Sequence, residues 1–387
     1  MHTTILNSEF DGIRPYHNEE IPEAMQRIAD AHEMKNIASF LFPEMKLIEV
    51  RDMIRSIETT DEFQKLLAEK AFQKIVKQTT KGVTVEGFEH IDTTQSHIFV
   101  MNHRDIVLDS TLFEIALIEQ GIQTTEICIG DNLMPSQFFI DIWRSNKMVK
   151  VIRGASIRET LQNSLVFSKY LRHTIRNRHE SVWIAQRNGR TKDGLDVTDP
   201  ALIKMFAMSG TENVLASIAE LNIIPVAISY QIEPCDWMKT RELFLSKDAP
   251  YHKTPNEDFQ SILTGIMQKK GKVHITIGAP INPKLDICKN LSNNEIFKSI
   301  AKLIDDEIMH GYKLFDTNYI AYDLLNHTNQ YASHYTEEAK QQFIIDMNEK
   351  IAKIGLEFYP ELCRLFFSIY ANPVFSAKNG QLNHKKQ

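Results

Sequence analysis

Between residues 80 and 290, six short β-branched runs recur with helix-like stretches between most of them. This alternation constrains the fold more than any other feature of the chain. The runs are HIFVM (97–101), EICIG (126–130), MVKVI (148–152), SVWIA (181–185), IIPVAISY (223–230) and KVHITIG (272–278). Strands that alternate with helices predict an α/β fold: a mixed, largely parallel sheet flanked by helices. In such sheets a ligand sits beyond the carboxyl ends of the strands, so the residues that follow each run are the ones to read. Residues 1–78 read as a mixed-charge helical subdomain, 79–290 as the α/β domain and 291–387 as a helical extension. Asn372-Pro373 is expected to stop the last helix, and KNGQLNHKKQ (378–387) to fray.

The 387 residues include 43% apolar and 24% charged side chains, a soluble globular balance that excludes a disordered or collagen-like chain. No run approaches the ~18 uncharged apolar residues of a membrane span. The first residues lack a basic region followed by an apolar core, so the expected location is cytoplasmic. Cys128, Cys235, Cys288 and Cys363 are not spaced as a disulfide framework or a zinc site, and the reading is no metal.

Charge is unevenly distributed. The chain carries −6 overall, but residues 141–194 hold twelve Lys/Arg against four acids, a local +8. A basic block within an acidic chain suggests an anionic partner. Lys169 to Arg178 fit a solvated helix face equally well. The block lacks the interleaved aromatics of a base-stacking platform, so nucleic acid is not the expected partner.

Polar residues follow most runs. After HIFVM come Asn102, His103, Arg104 and Asp105, with a helix expected from Ile106 to near Gly121. His103 at this junction could take a proton from a hydroxyl if a carboxylate held its tautomer. Asp109 is the candidate orienting acid, and Asp105 reads as a helix cap. After EICIG comes Asp131-Asn132-Leu133, and after MVKVI comes Arg153-Gly154, a pair suited to phosphate. After SVWIA comes QRNGRTKDG (186–194), which fits either an Asn-Gly turn or a loop that carries Arg187, Arg190 and Lys192 to an anion. Walker-type, GxGxxG, G-x-S-x-G and H-E-x-x-H patterns do not occur, which removes the usual support for kinases, dehydrogenases, α/β-hydrolases and zinc proteases.

Taken in order, these segments resemble the glycerolipid acyltransferase superfamily, which includes glycerol-3-phosphate and 1-acylglycerol-3-phosphate acyltransferases. The blocks are NHRDIVLDS (102–110), GDNLM (130–134) with KVIRG (150–154), QRNGRTKDG, and IIPVAISYQ (223–231). The resemblance covers about 80–290. Two departures stand out. Asp109 lies one residue further from His103 than the family's His-x4-Asp spacing, a 100° step on a helix, so a looser first turn must return it to the imidazole. Arg187 replaces the family's block-three glutamate.

The resemblance implies an O-acyltransferase of bacterial-type membrane lipid synthesis. A fatty acyl group would pass from acyl-CoA or acyl-carrier protein, with no other cofactor, to a hydroxyl of glycerol 3-phosphate or a lysophospholipid. His103, with Asp109 and Asp105, would be catalytic. Arg153, Arg190, Lys192, Thr191, Gly189 and Asn132 would bind substrate, and amides at the start of the 106–120 helix could hold the oxyanion. The enzyme would work peripherally on the inner face of the cytoplasmic membrane. The segment Leu362–Tyr370 fits either an interfacial helix or one packed in the core. A lyso-aminolipid acyltransferase and a non-catalytic lipid- or carrier-binding homologue are the alternatives.

Overall fold

The structure is a computed structural model that describes residues 9–152, 154, 156–211, 213–254 and 256–384. Its centre is one seven-stranded sheet: β1 (Thr80–Glu86), β2 (Ile98–Met101), β3 (Glu126–Gly130), β4 (Met148–Val151), β5 (Val182–Ala185), β6 (Ile223–Tyr230) and β7 (Gly271–Ile277). The spatial order is β1-β7-β6-β2-β5-β3-β4. Only the β6–β7 pairing is antiparallel, so β7 and β1 form a reversed edge on a five-stranded parallel sheet. The α/β expectation holds, and all six runs are strands. β1 was not expected. It is an edge strand with no buried residue, so it carries little of the apolar signal by which strands are read.

The period of two along each strand feeds two cores. Ile98 and Val100 of β2, Val182 and Ile184 of β5, and Val149 of β4 enter one cluster with Phe167, Ile203 and Phe206. Phe99, Met101, Ile127, Ile129, Met148 and Trp183 enter the opposite one, with Leu108, Leu112 and Phe113. Beyond the boundary expected at 290, the helix Asn293–Gly311 packs Ile296, Phe297, Ile300 and Ile304 onto the first cluster. Residues Ile21 to Leu67 form a cluster of their own, against which Phe138 and Ile142 pack.

The helix Tyr359–His384 runs straight through Pro373. The expected stop at Asn372-Pro373 does not occur. Leu362, Phe366, Ile369 and Tyr370 are buried against Phe343, Met347 and Ile351. Each such burial contributes about 1.5–3 kcal/mol, so this segment is core and not a membrane-facing surface. Proline removes the N–H that would bond the carbonyl of Ile369 four residues earlier. That carbonyl lies against Gly194, where a Cβ would collide with it. Asn372 donates its amide to the Asp193 carbonyl at 2.7 Å. The proline and the glycine thus let the helix dock against the loop that follows β5.

Candidate functional site

β2, β3, β4 and β5 run parallel, so the residues that follow them gather at one end of the sheet. There they line a cleft of about 520 Å³. Pairing between β3 and β5 stops at Ile127↔Trp183, whereas β3–β4 continues to Gly130↔Val151 and β2–β5 to Met101↔Ala185. The sheet forks there. The cleft is walled by Cys128, Val151 and Phe167 from one core and by Ile127, Ile129, Met148 and Trp183 from the other. Its mouth is polar, with His103, Asn132, Arg187, Asn188, Arg190, Lys192, Lys253 and Asp258.

The helix expected from Ile106 begins at Leu108. Residues 102–107 form an open turn that wraps the Asp109 carboxylate, and this turn absorbs the extra residue. His103 Nδ1 lies 2.9 Å from Asp109 Oδ2. The same oxygen accepts the amides of Arg104 (2.6 Å) and Asp105 (2.8 Å), and Oδ1 accepts the Tyr230 hydroxyl at 2.8 Å. Asp109 is fully buried, while the His103 side chain keeps 14% of its surface exposed and lines the cleft. Among the described residues the second ring nitrogen, Nε2, has no hydrogen-bond partner. Trp183 stands edge-on to the imidazole, with centroids 6.0 Å apart.

Asp105 does not join this pair. It is buried, does not line the cleft, and accepts the amides of Val107 (2.9 Å) and Leu108 (2.8 Å) on Oδ1. Its place is that of a helix cap, which corrects the catalytic assignment. Those bonds, with the ones to Asp109, also occupy the amides of residues 104, 105, 107 and 108, so these are not open to an oxyanion. Asp105 Oδ2 has no partner. Burial and the neighbouring Asp109 charge raise its pKa.

The loop after β5 is tied to the dyad by Thr191, whose N–H donates to the His103 carbonyl at 2.7 Å. The Thr191 hydroxyl donates to Asp196 (2.8 Å), and Thr191 is buried away from the cleft. It positions the loop and does not meet substrate there, contrary to expectation. Arg190 is buried on the cleft wall, and its Nη1 has no partner. Gly189 turns the loop at φ +75° and lines the cleft. Lys192 lines it too, but its ammonium is held by Glu242 at 2.7 Å, and burial lowers its pKa. Asn132 reaches the opposite rim and donates to Asp258 at 2.8 Å. Arg153 lies outside the described residues.

Much of the +8 block is spent internally. Lys147, Lys169, Arg172, Arg176, Arg178 and Lys192 pair with Glu180, Glu9, Glu220, Glu126 and Glu242. Among the described residues Lys150, Arg158, Arg187 and Arg190 have no carboxylate within salt-bridge distance, and Arg144 donates instead to the carbonyls of Arg14 and Asp11. Arg187 and Arg190 line the cleft, Lys150 precedes the cleft residue Val151, and Arg158 is two residues before the cleft residue Thr160.

Beneath the site lies a buried ionic cluster that the sequence did not disclose. Arg104 pairs with Asp196 (2.6 Å) and Glu233 (3.3 Å), and its guanidinium carbon lies 5.1 Å from the centroid of the Tyr312 ring. Lys239 donates to Glu233 (2.6 Å) and to the Arg104 carbonyl (2.7 Å). Two cations face two carboxylates, the balance that buried charge requires. Arg104 beside the histidine was the visible signal, but its partners lie about 90 and 130 residues further along the chain.

No family model and no curated protein matches the chain. Among solved structures, the 1-acyl-sn-glycerophosphate (LPA) acyltransferase PlsC from Thermotoga maritima is similar at 17% identity. The match covers 76% of this chain and 95% of that one, with a TM-score of 0.36.

Proposed function

We propose that the protein is an O-acyltransferase that moves a fatty acyl group from a thioester to the hydroxyl of a phosphate-bearing acceptor, glycerol 3-phosphate or a lysophospholipid. One observation carries this reading. An imidazole oriented by a buried carboxylate opens into a largely apolar cleft that also holds a buried guanidinium, one of whose nitrogens has no partner. The volume falls in the range of small-molecule sites.

His103 Nε2 takes the proton of the acceptor hydroxyl as its oxygen attacks the thioester carbonyl carbon. The tetrahedral adduct expels the thiolate, which recovers the proton from the imidazolium. Asp109 fixes the tautomer with the Nδ1 proton toward itself and steadies the transient cation, while Tyr230 and two amides hold the carboxylate in place. Arg190 receives the acceptor phosphate, with Arg187 nearby, in charge-assisted bonds. The acyl chain lies in the fork between β3 and β5. The donor is acyl-CoA or acyl-carrier protein, and the enzyme works peripherally on the inner face of the cytoplasmic membrane.

The test incubates purified protein with labelled acyl-CoA or acyl-carrier protein and a panel of glycerol 3-phosphate, lysophosphatidate and a lyso-aminolipid, read by mass spectrometry. Acylation of a phosphate-bearing acceptor that disappears in His103→Ala supports the proposal. Transfer to no acceptor, or equal transfer by His103→Ala, overturns it.

A further inference from the structure

Two helices border the cleft, and each turns an apolar stripe to solvent. On Ile157–His173, Thr160, Asn163 and Ser164 line the cleft, while Ile157 (91% exposed), Leu161 (58%) and Leu165 face outward. On Glu257–Met267, Asp258 lines the cleft, while Phe259, Leu263 and Met267 (59%) are exposed. Both stripes repeat at four-residue steps, so each is a continuous ridge spanning about 12 Å of helix. Large side chains left uncovered in two ridges beside one apolar cleft differ from scattered surface residues such as Ile287 or Ile345.

Charge complementarity names the occupant. Among the described basic side chains of residues 141–194, Arg144, Lys150, Arg158, Arg187 and Arg190 have no carboxylate within salt-bridge distance; Arg144 is held by the Arg14 and Asp11 carbonyls and Arg190 is buried, which leaves Lys150, Arg158 and Arg187. Arg158 lies on the first helix beside its ridge. The only acids of the second helix, Glu257 and Asp258, accept hydrogen bonds from Tyr251, Lys253 and Asn132. An apolar ridge with uncompensated cations beside it fits an anionic bilayer, with the apolar side chains among the acyl chains and the cations at the head groups.

We infer that the helix faces Ile157/Leu161/Leu165 and Phe259/Leu263/Met267 together form a membrane-docking surface that sets the cleft mouth against anionic lipid. It rests on the acyl-transfer reading only for what then enters the cleft. Among the described residues no helix is long and apolar enough to cross a membrane, so contact through helices would be of this surface kind.

The experiment is flotation of the full chain with vesicles of phosphatidylethanolamine and phosphatidylglycerol, compared with phosphatidylcholine alone. The stripe variant carries Ile157→Asp, Leu161→Asp, Phe259→Asp and Leu263→Asp, all at exposed positions, and circular dichroism checks its fold. The control carries Ile287→Asp and Ile345→Asp. Wild type and control are expected to float with the anionic vesicles, and added salt to weaken binding. The stripe variant is expected to bind about ten-fold more weakly or worse. Equal flotation of stripe variant and wild type, or equal loss in the control, overturns the inference. So does a wild type that ignores vesicles, including one that is a dimer in solution and becomes monomeric in the stripe variant. His103→Ala should float like wild type. Docking without any acyl transfer would leave this inference standing and remove the functional one, and transfer without docking would do the reverse.

Discussion

The turn after β2 and the loop after β5 lie side by side, linked by Thr191, yet they differ in what they leave unsatisfied: one carboxylate oxygen, Asp105 Oδ2, in the first, and two donors in the second. In the first, Asp109 accepts on both oxygens, Arg104 is held by two carboxylates, and Asn102 exchanges three bonds with Asp196 and the backbone of Ile228. In the second, Arg190 Nη1 and Gln186 Nε2 are buried without partners. A buried donor left unmade costs about 1–3 kcal/mol, more for a charge, so the loop after β5 carries a cost that a ligand would relieve. The difference teaches that one segment is built to hold a geometry and the other to receive something. Substitutions in the first should lower kcat or stability, and those in the second should raise acceptor KM.

The sharpest break would come at the dyad. His103→Ala is expected to lower kcat by about 10²–10⁴-fold with an unchanged melting temperature, measured by initial rates and thermal unfolding. Asp109→Asn should lower both kcat and stability, the latter by about 2–4 kcal/mol in urea titration, because four donors converge on the carboxylate. An Asp109→Asn variant with wild-type stability would remove the contrast between the two segments.

Arg190→Met should raise acceptor KM by about 10–100-fold, the worth of a charge-assisted contact, with kcat little changed. Its melting temperature should hold or rise, since a buried nitrogen without a partner is removed. A fall of several degrees would show that Arg190 is structural. Lys192→Met should have a smaller effect on KM, because Glu242 already holds that ammonium.

A fifth expectation concerns pH. Burial raises the Glu114 carboxyl to about 7, although Thr125 donates to it through N–H and hydroxyl. An acid with a raised folded pKa binds its proton more tightly folded than unfolded. Its contribution is therefore full below the unfolded value near 4.5 and is lost as pH rises to about 7, by up to about 3 kcal/mol. Glu114→Gln should flatten that segment of the stability–pH curve relative to wild type in denaturant titrations. Parallel curves would show that Glu114 ionises normally.

The strands were legible because buried β-branched runs are a local signal. β1 was not, because an edge strand leaves its side chains to solvent. At the site, His103, Asp109 and Arg190 stood out as polar residues after strands, the place where a parallel sheet leaves ligands room. Asp105 was legible as a helix cap, the resemblance set it beside Asp109, and its bonds from the Val107 and Leu108 amides return it to the cap. Thr191 and Lys192 sat in the right loop, but Asp196 within that loop and Glu242 fifty residues on take their side chains, and only the second of these pairings is long-range. The +8 block misled for the same reason, since Glu9, Glu126, Glu220 and Glu242 lie outside it. Leu362–Tyr370 and the Ile157 ridge are both apolar helix, and only the packing against Phe343 and Met347 separates core from surface.

The clasp between Asn372 and the Asp193 carbonyl, with Gly194 seated on Ile369, ties the loop after β5 to a helix translated some 180 residues later. A nascent chain therefore makes its histidine and its basic loop long before anything can pin them together. Until Asn372 has left the ribosome, the half-made protein holds His103 and Arg190 without the contact that pins the loop. On the acyl-transfer reading, translational arrest upstream of residue 372 should yield a ribosome-bound chain with no turnover.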